Sequence, residues 1–403
     1  MTCLWQSQNS ISNYKQMANS ILPVTSLDYR LLAKKRLPRF LFDYIDGGAN
    51  EEVTLAANMA DFSRYRLRQR VMHDVGDIDT SAELCGRRFN MPLVLAPVGM
   101  AGLMARRGEV LGARAAQQAG VPFTASTVGI CSMDEIKQAI GEPCWFQLYM
   151  LHDRTIVERI LERAAATGCD TLIFTVDLAV TGMRHRDWRN GMITDGLRSR
   201  IAKFRQLAAR PGWLFDVGIK GKPHDFGNLS DIMEEPVDLV TLKSFIASQF
   251  DPTVTWKDIA WLRSIWKGKL VIKGVLSAED AGFAVDAGAD GVVVSNHGGR
   301  QLDCVSSGIA KLPEVIRAVG DQVEVLMDGG VRNGIDVVKA VALGANGVLI
   351  GRPWVWAAAG AGEKGITDLL GVFQEEIRVA MALMGVNRID EISADLLEDE
   401  LVY

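Results

Sequence analysis

The chain has 403 residues, is 48% hydrophobic and carries a formal net charge of −5, enough apolar content for one large core or two smaller ones. So mild an acidity argues against a nucleic-acid partner, which usually calls for a strongly basic domain. No apolar run reaches the roughly 18 residues that a bilayer span needs. Six scattered cysteines with no Cys-x-x-Cys pair read as buried thiols of a reducing cytosol, with no disulfide frame and no metal site.

Residues 1–24 are polar, lack the apolar core of a secretory signal and are expected to form an N-terminal tail. Residues 25–403 are expected to form one domain. Its first part, 27–45, reads as helices that could cap one end. Short apolar, β-rich runs follow at 91–97, 122–127, 144–149, 171–177, 269–274, 291–297, 323–329 and 347–352. Helix-like stretches such as 110–119, 155–166, 278–287 and 334–343 lie between them. Unbroken apolar strands alternating with helices mean a parallel sheet covered on its outer face. Eight such units suit an α/β fold of the closed (β/α)8 TIM-barrel type. A two-domain dinucleotide-binding fold is the competitor. The one Gly-x-Gly-x-x-Gly match, Gly360 to Gly365, follows an Ala-rich helix instead of the strand such a loop needs.

The gap between the fourth and fifth runs is far longer than the others, which gives an insertion over about 190–268 leaving the barrel where active sites lie. Within 197–224, seven basic residues (Arg198, Arg200, Lys203, Arg205, Arg210, Lys220 and Lys222) face one acid, Asp216. Leu197, Ile201, Phe204 and Ala208 share a helical face, followed by Trp213, Leu214 and Phe215. Basic residues beside apolar and aromatic ones suit an anionic membrane surface. The expected location is therefore peripheral, on the cytoplasmic face of the cell membrane. The insertion is expected to be removable without loss of the site, because His297 and Arg300 lie elsewhere.

Polar residues crowd the C-terminal ends of the strands: Ser126, Gln147, Tyr149, Thr175, Asp177, Lys273, Ser295, His297, Asp328 and Arg352. The seventh and eighth strands end in Asp328-Gly329-Gly330-Val331-Arg332 and Gly351-Arg352, where glycine backbones and fixed cations suit an anion such as a phosphate. After the sixth strand comes Ser295-Asn-His-Gly-Gly-Arg-Gln-Leu-Asp303. Its His297 can exchange a proton near neutrality, and its Arg300 presents a planar fork suited to a carboxylate.

These segments, with residues 37–48 around Tyr44, Trp145-Phe-Gln-Leu-Tyr149, Phe174-Thr-Val-Asp177 and Lys273-Gly274, resemble the FMN-dependent L-2-hydroxy acid dehydrogenase and oxidase family. The resemblance covers nearly the whole chain after about residue 25. The stretch 210–225 is similar to the membrane-associated bacterial L-lactate dehydrogenases of that family. The resemblance implies FMN as cofactor and oxidation of a small L-2-hydroxy acid such as L-lactate to the 2-oxo acid. It implies His297 as the base, supported by Asp177, with Arg184, Arg300, Tyr44 and Tyr149 binding substrate. Ala96, Pro97, Val98 and Gly99 would pack behind the flavin, and Ser126, Gln147 and Thr175 would hydrogen-bond its ring. Lys273 would meet the N1 and O2 edge, Ser295 would join the cofactor site, and Asp328 would meet the ribityl chain. Gly329, Gly330, Arg332, Gly351 and Arg352 would hold the phosphate. The implied electron acceptor is a quinone or cytochrome-type carrier, and the implied assembly is a homo-oligomer, a tetramer by resemblance. The alternatives are an oxidase that uses oxygen, a mandelate dehydrogenase and, from another class, an FMN-dependent isomerase. Gly99 favours the dehydrogenase, because family oxidases often carry Ala there.

Overall fold

Strands with no polar face must be covered on both sides, and the structure, a computed structural model, closes them into a barrel. It describes residues 22–194, 196–230 and 249–398. Most of the expected tail, and 231–248 within the expected insertion, lie outside the described residues. The barrel strands are β3 (Leu93–Leu95), β4 (Thr124–Ser126), β5 (Trp145–Leu148), β6 (Thr171–Thr175), β7 (Lys269–Val275), β8 (Gly291–Val294), β9 (Glu324–Asp328) and β10 (Gly347–Ile350), preceded by a hairpin of β1 (Ala82–Leu84) and β2 (Arg87–Phe89). The sheet order is β3-β10-β9-β8-β7-β6-β5-β4. A parallel bridge between Leu95 and Phe123 joins its two ends. All eight sequence-predicted strands are present; seven are shorter than their apolar runs, and β7 extends one residue past its predicted end, to Val275. The barrel replaces the two-domain alternative. The Gly360 to Gly365 stretch lies inside the helix Arg352–Met384, which is broken at Gly362.

Val94, Trp145, Ile173, Val271, Val293, Leu326 and Leu349 form one buried cluster, closed by Leu84 from the hairpin. The hairpin sits at the strands' N-terminal ends: Cys85 N donates to the Glu324 carboxylate at 2.9 Å, and a Cβ on Gly347 would come within 2.9 Å of Leu84 Cδ2. The sequence did not reveal this plug, since its strands are three residues long and one is Arg-rich. The opposite end is capped by the helices Ser26–Arg36, Arg39–Asp46 and Val53–Ala60. A Thr25–Asp28 capping box starts the first of them.

Between β6 and β7 the chain forms the helices His185–Arg189 and Leu197–Ala208, then a turn at Pro211–Trp213 that runs into Leu214–Ile219. The helix Trp256–Ile265 buries Ile259 and Leu262 in the main core. It is therefore the barrel's own crossover helix, and the extra chain ends before it. Trp213, which the sequence grouped with the surface aromatics, is buried and donates its indole N–H to Leu103 O at 2.9 Å. Asp216 pairs with Arg36 at 2.7 Å and Arg106 at 3.4 Å, anchoring the insertion to the barrel.

Leu84 is fully buried in the plug. Leu84→Ala should lower unfolding free energy by about 2–5 kcal/mol, as expected for a truncated core leucine. Chemical denaturation will measure it, and the cavity chemistry at the far rim should be little changed.

Candidate active site

At the C-terminal rim the strand ends enclose a cavity of 790 Å³. The motif after β8 turns sharply into it: His297, Gly298 and Gly299 all have positive φ, at 56°, 64° and 74°. A histidine held in the left-handed region is strained, and such strain persists only where the surroundings fix it. Ser295 Oγ accepts from His297 N at 3.0 Å. The amides of Asn58 and Asn296 exchange hydrogen bonds at 2.9 and 2.8 Å, tying the loop to the helix Val53–Ala60.

His297 Nδ1 lies 2.8 Å from Asp177 Oδ1. This contact fixes Nδ1 as the protonated nitrogen and leaves Nε2 to act as base. Burial pushes the imidazole below its ordinary pKa, outweighing the opposing pull of Asp177, while Lys273 and Arg184 push the same way as burial. Burial also opposes charge on Asp177, but His297 and then Lys273 hold its carboxyl below the usual range. Gly274 makes the pairing possible. Its φ is +111°, and a Cβ there would fall 2.7 Å from Asp177 Cβ.

Arg184 and Arg300 both line the cavity with Tyr44 and Tyr149. Burial and then Arg300 lower the Arg184 pKa to about 10, still high enough for a cation at neutral pH. The Arg300 guanidinium lies over the Tyr44 ring at 5.0 Å from its centroid. Lys273 Nζ reaches Asp328 Oδ2 at 2.8 Å and Ser295 Oγ at 2.9 Å. Burial disfavours its charge, but Asp328 and then Asp177 raise its pKa. Ser295 is fully buried, so its role lies in holding Lys273 and His297 rather than in forming the cavity wall.

Several features fit a flavin with a ribityl phosphate. Gln147 Nε2, Thr175 Oγ1, Asp328 Oδ1 and Arg332 Nε are buried polar atoms without a hydrogen-bond partner in the protein; such groups are costly unless a ligand meets them. Gln147 Oε1 itself accepts from Ser126 Oγ at 3.1 Å. Gly329 and Gly330 have φ of 86° and 90°, and a Cβ on Gly330 would fall 1.8 Å from Asn58 O, so only glycine fits that turn. Gly351 precedes the helix that begins at Arg352, whose N-terminal amides suit an anion. Ala96 to Gly99 line the same cavity, and a Cβ on Gly99 would lie 2.7 Å from Val128 Cγ2 and 3.7 Å from the Tyr44 hydroxyl.

The sequence placed the insertion at the active-site rim without naming which of its residues form the wall. Met192, Ile193, Lys203, Phe250 and Pro252 of the insertion line the cavity, as does Asp187. The insertion is therefore part of the site and is not separable from it. Phe250 packs on Tyr149 with centroids 4.9 Å apart. Only the Arg184–Asp187 proximity in sequence could have signalled Asp187.

The FMN-dependent dehydrogenase family matches residues 33–399. The L-lactate dehydrogenase of Alcaligenes faecalis is 48% identical over 93% of this chain and 99% of its own. That of Caulobacter sp. (strain K31) is 50% identical over 93% and 98%. Among solved structures, the monotopic membrane protein (S)-mandelate dehydrogenase superposes with a TM-score of 0.88 at 36% identity, covering 94% of this chain and 100% of that one. A mandelate oxidase gives 0.79 at 38% identity, covering 94% and 98%.

Since the Asp177 carboxylate raises the His297 pKa, Asp177→Asn should lower it further. The imidazole then stays neutral to lower pH than in the wild type, where burial already holds it below its ordinary value. An NMR pH titration of the ring compares the two; an upward shift would contradict the pairing.

Proposed function

The chain belongs to the FMN-dependent dehydrogenase family, and on that premise we propose that it oxidises L-lactate, or a similarly small L-2-hydroxy acid, to the 2-oxo acid. The observation that carries this reading is His297, paired with Asp177 at 2.8 Å and lining one cavity with Arg184 and Arg300. The L-lactate dehydrogenases at 48 and 50% identity support the choice of substrate.

When bound, FMN supplies the two-electron acceptor. Gln147, Thr175 and Ser126 would hold its ring, with Lys273 as the cation beside the edge where reduction builds negative charge. Asp328 would meet the ribityl chain. Gly329, Gly330, Arg332, Gly351 and Arg352 would meet the phosphate. Arg184 and Arg300 grip the substrate carboxylate, and Tyr44 and Tyr149 bind its polar groups. His297 Nε2 takes one substrate proton, from C2 on a carbanion route or from the hydroxyl on a hydride route. Both demand a neutral imidazole, which burial favours. Asp177 then stabilises the imidazolium that forms.

Electrons would pass on to a quinone or cytochrome-type carrier. Gly99 supports a dehydrogenase over an oxygen-using oxidase by resemblance, since family oxidases often carry Ala there; in this chain a Cβ at that position would fall 2.7 Å from Val128 Cγ2. We also propose peripheral attachment to the cytoplasmic face of the membrane. The apolar face of the helix Leu197–Ala208 is outward, with Leu197 74% and Phe204 71% exposed, and Phe215 and Ile219 are exposed beyond it. Basic residues flank them. No helix among the described residues is long and apolar enough to cross a membrane. The mandelate dehydrogenase described as monotopic supports the same reading. Assembly as a homo-oligomer, a tetramer by resemblance, belongs to the proposal as well.

His297→Gln should retain flavin and cut its reduction by L-lactate about 10²–10⁴-fold or more, the usual cost of losing a general base. Arg300→Lys should raise KM and lower kcat, since lysine cannot make a bidentate grip. Stopped-flow absorbance reads both, and near-normal reduction in the His297 variant would refute its role. Rates on L-lactate, glycolate and mandelate test the substrate, with preference for the aryl acid overturning it.

The membrane reading predicts co-sedimentation with anionic liposomes that salt weakens, each basic residue contributing about 1 kcal/mol near the surface. Changing Ile201, Phe204 and Phe215 together to Ser should remove the salt-resistant part while sparing flavin reduction. Wild type that ignores anionic liposomes at low salt would overturn it.

A further inference from the structure

The turn 44–47, at the C-terminal end of the helix Arg39–Asp46, meets four arginines from four parts of the chain. Asp46, whose side chain is 3% exposed, takes Arg30 Nη2 at 2.7 Å from the first capping helix. It also takes Arg186 Nη1 at 2.9 Å from the helix His185–Arg189. The backbone carbonyls of the same turn hold the other two. Arg300 Nη1 donates to Tyr44 O at 2.5 Å and to Gly47 O at 2.9 Å. Arg352 donates through Nε to Ile45 O at 3.1 Å and through Nη2 to Gly47 O at 2.9 Å. The Gly47 carbonyl is thus shared between the arginine assigned to the substrate carboxylate and the arginine assigned to the phosphate.

The chemistry of this turn explains the gathering. Carbonyls at a helix C-terminus have no partner inside the helix and carry the negative end of its dipole. A carbonyl has two lone pairs, so Gly47 O accepts from both guanidiniums and has no further capacity. Moving the turn must move both arginines. The turn itself is held from outside by Asp46, which bridges two arginines on separate elements. Packing leaves little slack, since a Cβ on Gly47 would fall 2.7 Å from Asp43 O and 3.1 Å from Arg186 Cδ. Burial opposes the Asp46 charge, but Arg30, Arg186 and Arg352 keep the carboxyl ionised.

We infer that Asp46 is a positioning residue that couples the two ends of the cavity: clamped between Arg30 and Arg186, it fixes the 44–47 turn so that an anion held by Arg352 sets Arg300 for the substrate carboxylate. The inference rests on the roles proposed above for Arg300 and Arg352. Coupling of this kind is reciprocal for binding, so it must appear both in cofactor affinity and in substrate affinity. Asp46 touches neither reacting atoms nor the His297–Asp177 pair, so proton transfer itself should be spared.

The test compares wild type and Asp46→Asn, each as apoprotein titrated with FMN and with riboflavin, followed by flavin fluorescence. The two ligands differ in the phosphate. Asp46→Asn should weaken FMN binding about tenfold, within the usual range of coupling between sites, and leave riboflavin binding unchanged. The FMN-loaded variant should show a KM for L-lactate raised about tenfold with kcat little altered. Wild type loaded with riboflavin should show a raised KM without any substitution, which covers the case of a variant that fails to fold. Equal weakening of FMN and riboflavin, an unchanged KM in Asp46→Asn, or an unchanged KM in riboflavin-loaded wild type would overturn the inference. An FMN-loaded wild type that does not oxidise L-lactate would instead overturn the proposed substrate, and the FMN–riboflavin comparison would still decide the role of Asp46.

Discussion

Cations converge on one cavity here, and the rest of the rim is arranged so that they can remain there charged. Lys273, Arg184, Arg300, Arg332 and Arg352 all line it. Desolvation is the largest influence lowering the pKa of Arg184, Arg332 and Arg352, and neighbouring arginines add to it. Buried like charges are tolerable only with compensating dipoles, carboxylates or ligand anions. The protein supplies the first two. Helix-end carbonyls take Arg300 and Arg352, Asp328 takes Lys273, and Asp46 takes Arg30 and Arg186 beside them. The third is the natural role of a flavin phosphate and a substrate carboxylate.

This arrangement explains why the N-terminal helices and the insertion meet over the barrel mouth. Asn190 Nδ2 donates to Asp43 Oδ2 at 3.2 Å, and Gln206 Oε1 accepts from Phe40 N at 2.9 Å. The helix Arg39–Asp46 is thus a shared wall, carrying Tyr44 on one side and docking the insertion on the other. The same insertion turns the apolar side of its helix Leu197–Ala208 outward. Cavity-lining residues and the candidate membrane face are therefore neighbours on one short segment, which is why deleting it would not leave the cavity intact.

A second organising constraint is conformational. His297 occupies a backbone region that a non-glycine residue rarely adopts, at φ 56°. The glycines that follow it, the Ser295 hydroxyl and the Asn58–Asn296 amide pair hold it there. Gly274 supplies the matching space for Asp177. His297 and Asp177 thus come from two strand ends whose geometry neither strand sets alone.

The sequence by itself determined the barrel, because eight apolar runs alternating with helices leave a closed parallel sheet as the economical burial. It also pointed to the C-terminal rim, where the structure has its cavity, because polar residues at strand ends are unusual enough to stand out, and motifs such as Ser295 to Asp303 are local. Tertiary structure alone decided what depended on distant segments meeting. The hairpin plug is too short to show a period, and Trp213 reads as a surface aromatic in the sequence although it is buried with its indole N–H on Leu103 O. Asp46 lies in an ordinary amphipathic helix, and nothing in its neighbourhood reveals Arg186, 140 positions away. Periodicity reports which face of an element is buried; it does not report which other element does the burying.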